Sequence, residues 1–225
     1  MLKRWKWIIL IMCGVFALAM AWSIHPLREP VYHGCSMSEW VARSRSADGS
    51  SFEPSEEVRE ALVVIGTNNL RLLVRFISYD PGKSPFIPLF RVLPRRVNLM
   101  SIFDFVTEDE ERRNKLAESA QEVFHALGPL GTPAVPELSR ILRSAGIIPG
   151  YRALHALDYI GEPSLPAIIS TARLTNSASR FLAIRSLWAH TNSPEALKFL
   201  TEATADCDPH VREDAAEALT GNELY

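Results

Sequence analysis

Residues 124–138 read FHALGPLGTPAVPEL and residues 154–168 read LHALDYIGEPSLPAI, the same passage thirty residues later. Nine of the fifteen positions are identical or both aliphatic in register, among them His125 with His155, Leu127 with Leu157 and Gly131 with Gly161. Self-similarity at such a period marks a repeat architecture, in which each copy is one supersecondary unit that cannot bury its apolar face alone. Weaker copies run from Phe181 to Leu200, with the turn Thr191-Asn192-Ser193-Pro194, and from Asp208 to Leu219, the start of an unfinished unit. Upstream, Val58 to Ile77 reads VREALVVIGTNNLRLLVRFI with its own turn at Gly66-Thr67, which brings the expected number of units to about five.

Each copy holds two apolar-periodic segments of about ten to thirteen residues joined by a short turn, the pattern of an antiparallel helix pair. In Gly131-Thr132-Pro133 the glycine is expected to take the left-handed conformation that ends one helix, the threonine hydroxyl to cap the next, and the proline to open it. Gly161 and Pro163 repeat the device, and Ser193-Pro194 and Asp208-Pro209 keep its second half. Alanine and leucine dominate the periodic segments and no alternating β-branched run interrupts them, so the fold class is all-α, a short solenoid of helix pairs. Leu138 and Leu157 fall on the buried face.

Two stretches stand apart. Residues 25–53 hold one short helix around Ser38-Glu39-Trp40-Val41 and then the polar RSRSADGSS of residues 43–51, in which a substitution at Ser46 is expected to cost almost nothing. Residues 79–118 contain Pro81, Pro85, Pro88 and Pro94 before the charged run Glu108 to Arg113. Gly66 and Gly131 are 65 residues apart, close to two periods, which favours a drifted helix pair there over a long binding loop, with Phe86, Phe90, Phe103 and Phe105 packing on neighbouring units.

The run from Asp206 to Leu219, DCDPHVREDAAEAL, resembles the first helix of a HEAT-like repeat of the phycobilisome-lyase type through Asp208, Pro209, Val211, Arg212, Ala215, Ala216 and Leu219. The wider layout resembles the membrane-anchored bacterial HEAT-repeat proteins: a Tyr-x-Gly-x-x-x-Ser-Glu-Trp element from Tyr32 to Trp40, an Ile-Gly-Thr-Asn turn, and Leu-Gly-x-x-x-x-Pro-x-Leu units. Met37 stands where that family has leucine, and Thr191 where it has the turn glycine. The resemblance implies an α-solenoid that binds other proteins, and it brings no catalytic residues.

Residues 7–24, WIILIMCGVFALAMAWSI, carry no charge and are long enough to span a bilayer as a helix. Lys3, Arg4 and Lys6 precede them, which keeps the N-terminus in the cytoplasm and sends the remainder across the cell inner membrane to the periplasmic or extracytoplasmic side. Ala19-Met20-Ala21 also fits a signal-peptide cleavage site, which would yield a secreted soluble binding module. Trp5, Trp7 and Trp22 near both ends of the run favour the uncleaved anchor, in which Cys13 is an apolar filler. The expected organisation is therefore residues 1–24 as anchor or signal peptide, 25–53 as a linker with a short helix, and 54–225 as the solenoid.

A formal net charge of -2 removes the electrostatic footprint of a dedicated nucleic-acid binder. No G-x-S-x-G, H-E-x-x-H, phosphate loop, G-x-G-x-x-G or C-x-x-C occurs, so no catalytic residue, cofactor or small-molecule substrate is assigned. His125 and His155 recur on adjacent first helices with only Glu122 and Asp158 one turn away, too few ligands for zinc, which favours packing roles. Cys35 and Cys207 would share an oxidising compartment but sit near opposite ends of the stack, which favours two free thiols, or one used between molecules, over an internal bridge. Glu108 to Arg113 reads as a solvated face at a helix start. Arg91, Arg95 and Arg96, with Arg75 upstream, form the most basic neighbourhood, suited to anionic lipid headgroups or an acidic partner. The expected function is a membrane-anchored, non-enzymatic scaffold that binds an unidentified protein on its concave face; the lyase-like HEAT class, or an enzyme subunit, is the alternative.

Overall fold

The computed structural model describes residues 28–45, 51–83, 100–144, 146–174 and 178–220. The expected span at 7–24, Ser46, Phe86, Phe90 and the basic group Arg91, Arg95 and Arg96 lie outside those residues, as do the side chains of Phe103 and Phe105. Among the described residues no helix is long and apolar enough to cross a membrane.

The described residues are mainly helical; near their start strands β1 (Val31–Tyr32) and β2 (Cys35–Ser36) pair antiparallel, and an isolated bridge joins Arg45 to Phe52. The all-α expectation missed this hairpin because two residues per strand leave no alternation to read. His33 and Gly34, both at positive φ, form the two-residue turn whose twist suits a hairpin. Ser36 then caps helix α1 (Met37–Arg43). Its hydroxyl accepts from the Glu39 N–H at 3.4 Å, and the Glu39 carboxylate accepts from the Ser36 N–H at 2.6 Å. That backbone donor, helped by the hydroxyl, holds the Glu39 carboxyl below its usual range. The Trp40 indole N–H donates to the Tyr32 carbonyl at 3.0 Å, so the hairpin and α1 form one unit. Met37, Trp40 and Val41 are buried, and α1 packs on the next two helices, closing one end of the core.

Helix α2 (Glu56–Ile77) corrects the expected turn at Gly66-Thr67. The run continues through both residues and breaks only at Asn69, whose backbone is non-helical. The Asn69 amide donates to the Ile65 carbonyl at 2.8 Å, satisfying an acceptor at the break. Gly66 serves packing: a Cβ there would lie 2.7 Å from Leu127.

Three complete pairs follow among the described residues: α3 (Met100–Leu127) with α4 (Val135–Ser144), α5 (Ile147–Ile160) with α6 (Leu165–Ala172), and α7 (Ala178–Ser186) with α8 (Pro194–Ala203). Helix α9 (Pro209–Thr220) is the first helix of the unfinished unit. The first helices stack in series, α3 on α5, α5 on α7 and α7 on α9, and the second helices do the same from α4 to α8. One hydrophobic core runs without a gap from Met37 to Ala218. Helix α3, with 28 residues, far exceeds the expected segment length, and it places Glu108 to Arg113 inside a helix rather than at its start. There Arg113 and Asp109, one turn apart, pair at 2.6 Å.

The pairing frame also differs from expectation. From α4 onward, the second helix of one unit contacts the first helix of the next more extensively than it contacts its own partner, α4 with α5, α6 with α7 and α8 with α9. The glycine–proline segments are instead short 3-10 passages that turn the chain from one layer to the other.

In the passage Gly128–Ala134 the left-handed residue is Gly128, at φ 51°, and not Gly131. Gly131 is required by space, since a Cβ there would meet Ile160 at 2.9 Å. The Thr132 hydroxyl donates back to the Pro129 carbonyl at 2.5 Å instead of capping α4. In the next unit Gly161 is the left-handed residue, at φ 78° and ψ −141°, a region open essentially to glycine alone. Gly161→Ala should therefore cost about 1–3 kcal/mol from backbone strain, although no atom lies within 4 Å of the added methyl. Urea denaturation followed by circular dichroism checks this; an unchanged midpoint would contradict it. At Thr191, where glycine is missing, the chain turns through the 3-10 passage Leu187–His190 without a positive φ. Ser193 makes no side-chain cap, but Asp208 does, accepting from the His210 N–H at 2.9 Å in front of Pro209.

Candidate functional site

Helix α5 lies in the middle of the stack, and one side of it carries Ile147, Ile148, Tyr151, His155 and Tyr159 at helical spacing. Ile147 is 73% exposed, Ile148 45% and Tyr151 50%, so the first turn of α5 presents large apolar side chains to solvent. Farther along, the rings form a ladder that leads from this exposed turn to Tyr159, which is partly buried against the core. Tyr151 meets His155 edge-on at 4.3 Å, His155 is tilted against Tyr159 at 6.3 Å, Tyr159 stacks on His125 at 4.3 Å, and His125 packs on Phe52 at 4.5 Å.

The thirty-residue spacing of the two histidines thus brings both imidazoles around one tyrosine. Burial in the ladder pushes the His125 imidazole below its ordinary value, against the opposing pull of Glu122. Burial, with Glu122 beside it, pushes the Tyr159 phenol up, so that ring stays protonated. Glu122 lies 4.0 Å from His125 and 3.7 Å from Arg45, which joins the end of the α1 segment to the ladder. No group of three metal-ligating side chains converges among the described residues.

A second feature lies between α2 and α4. Leu70 and Val74 of α2, with Ala134 before α4 and Ile141 on it, line a groove of about 720 Å³. Arg71 and Arg75 stand on its α2 rim, Arg140 and Glu137 on the opposite one. Arg140 is already engaged, its guanidinium meeting Glu137 at 2.8 Å. Arg75, the one member of the expected basic neighbourhood among the described residues, is therefore a groove residue.

Other expected positions are structural. Leu138, Leu157, Gly131 and Trp40 are buried, Pro194 and Pro209 open α8 and α9, and Pro163 sits in the 3-10 passage after Gly161. Arg212 donates to the carbonyls of Asp206 and Cys207 at 2.8 and 3.1 Å. Cys35 and Cys207 are both free thiols, at opposite ends of the stack.

Sequence reasoning missed the polar contacts that join the units. Arg152, buried in α5, donates to the Tyr79 carbonyl at 3.1 Å and to the Asn114 side chain. Arg180, buried in α7, donates to the Ala172 carbonyl at 3.1 Å and pairs with Asp206. Asp158 of α5 accepts from the Ser186 hydroxyl and faces His190 at 3.4 Å. In that trio the carboxylate sits between the hydroxyl and the imidazole, so the histidine is not placed to take the serine proton. Stepping back from Arg212 by one period lands within two residues of Arg180, and a second step within two residues of Arg152. That signal was present in the sequence.

The sequence model of the HEAT-repeat family matches residues 150–220, which run from α5 through α9. No curated protein and no solved structure matches the chain. The match supports HEAT repeats in this part of the molecule, and such repeats generally mediate protein–protein interaction.

Proposed function

We propose that the chain is a non-enzymatic protein-binding module, held at the cell inner membrane by residues 7–24 with its repeats on the extracytoplasmic side. The exposed apolar and aromatic strip of α5 carries this reading. Ile147, Ile148 and Tyr151 offer rigid apolar area on a helix that the core holds in place, and aromatic anchors of this kind dominate binding energy at protein interfaces. The HEAT match, which begins at residue 150 within the same helix, supports it. The charge pattern before residue 7 and the tryptophans around the apolar run support the placement.

The full chain, extracted in detergent, should recover a stoichiometric protein partner, and Ile148→Asp with Tyr151→Ala should weaken that recovery about tenfold or more. A partner retained equally by the variant would remove the strip from the function. Alkaline phosphatase fused after Tyr225 should be active; an inactive fusion beside a fluorescent cytoplasmic reporter would reverse the orientation.

A further inference from the structure

We propose that the groove between α2 and α4 is a second binding site, one that takes an acidic amphipathic segment of a partner protein. The floor is apolar, with Val74, Ala134 and Ile141 buried in the core and Leu70 half-buried beside them. The groove has a volume of about 720 Å³ and lies open to solvent along one side.

The rims supply the charge. Arg71 and Arg75 are exposed, and neither has an ion-pair partner among the described residues. They stand four residues apart on one helix, an arrangement of like charges that disfavours the free helix slightly and that an incoming carboxylate relieves. Across the groove Glu137 is occupied by Arg140, so three guanidiniums face one carboxylate and the groove is positive in a chain whose formal net charge is -2. Arginine forks match carboxylates in geometry as well as in sign. A bilayer is the other anionic surface that arginines serve, but lipid headgroups present a plane, whereas these arginines flank a recessed apolar floor between two helices. The site is separate from the α5 strip and does not depend on it.

The test uses the full chain in detergent and a fluorescein-labelled peptide of about four helical turns, with leucine at every third or fourth position and glutamate between. Fluorescence anisotropy should show saturable binding that weakens as salt is raised. Arg71→Glu with Arg75→Glu should lower the affinity about tenfold or more, and Arg71→Gln with Arg75→Gln by less, both with an unchanged circular dichroism melt. Tyr151→Ala in the strip should leave peptide binding as it was. A matched peptide with lysine in place of glutamate binding equally well would overturn the proposal, as would indifference to the arginine changes. So would displacement of the peptide by short-chain phosphatidylglycerol at concentrations where phosphatidylcholine is inert, which would give the site to lipid. Each of these failures leaves the strip reading, measured with its native partner, standing.

Discussion

Leu157→Ala is expected to destabilise the protein by about 2–5 kcal/mol, the range for truncating a fully buried leucine. Leu157 is 0% exposed and sits in α5, which packs on α3, α4 and α7 together, so the void opens where several elements meet. The surroundings are poorly able to close it. The Leu157 carbonyl accepts from the Ser164 hydroxyl at 2.6 Å and the Gly161 N–H at 3.2 Å, which fixes the backbone behind the side chain. Leu130→Ala, at a residue 55% exposed on the passage after α3, should cost little. Urea denaturation of the two variants measures the contrast, and coincident curves would remove the assignment of core and surface.

Arg180→Ala is expected to cost about 3 kcal/mol, toward the lower end for breaking a buried ion pair. The Arg180 side chain is 8% exposed, whereas Asp206 keeps 21% exposure and a second donor, the Asp208 N–H at 2.9 Å, so the abandoned carboxylate is not wholly stranded. The Ala172 carbonyl also loses its partner. A double-mutant cycle with Asp206→Asn isolates the pair; strictly additive costs would show that the two side chains do not interact.

The same pair gives a pH signature. The Asp208 N–H, with Arg180 adding to it, holds the Asp206 carboxyl below its ordinary value. A carboxyl depressed on folding contributes stability above its unfolded pKa, and that contribution is lost as pH falls through the folded value. Stability below about pH 4 should therefore fall less steeply in Asp206→Asn than in the unaltered chain.

The fold was legible where the apolar pattern repeats. Leu138, Leu157 and the prolines that open α8 and α9 lie where the thirty-residue period puts them, because burial on a helix follows side-chain spacing directly. Legibility ended where one residue type has two uses. A glycine in the sequence signals either a positive φ or a lack of room: Gly161 is the first case, Gly66 and Gly131 the second, and only neighbours such as Leu127 and Ile160, distant in sequence, decide between them. The hairpin at Val31–Ser36 was too short to carry a period. Of the candidate surfaces, the two histidines were visible as a repeat, but the tyrosine between them and the exposed isoleucines at the start of α5 needed coordinates. The groove was hidden because Arg71 and Arg140 come from helices that only the stack brings together.

The units share a core but not their polar contacts. Arg152 reaches back to Tyr79 and Asn114, Asp158 forward to Ser186, and Arg180 forward to Asp206. The stack is thus keyed rather than modular. Cutting out one unit or exchanging two would part Arg180 from the Asp206 carboxylate or Arg152 from Tyr79 and Asn114, so an engineer wishing to lengthen or shorten the array would have to move each lock together with its key.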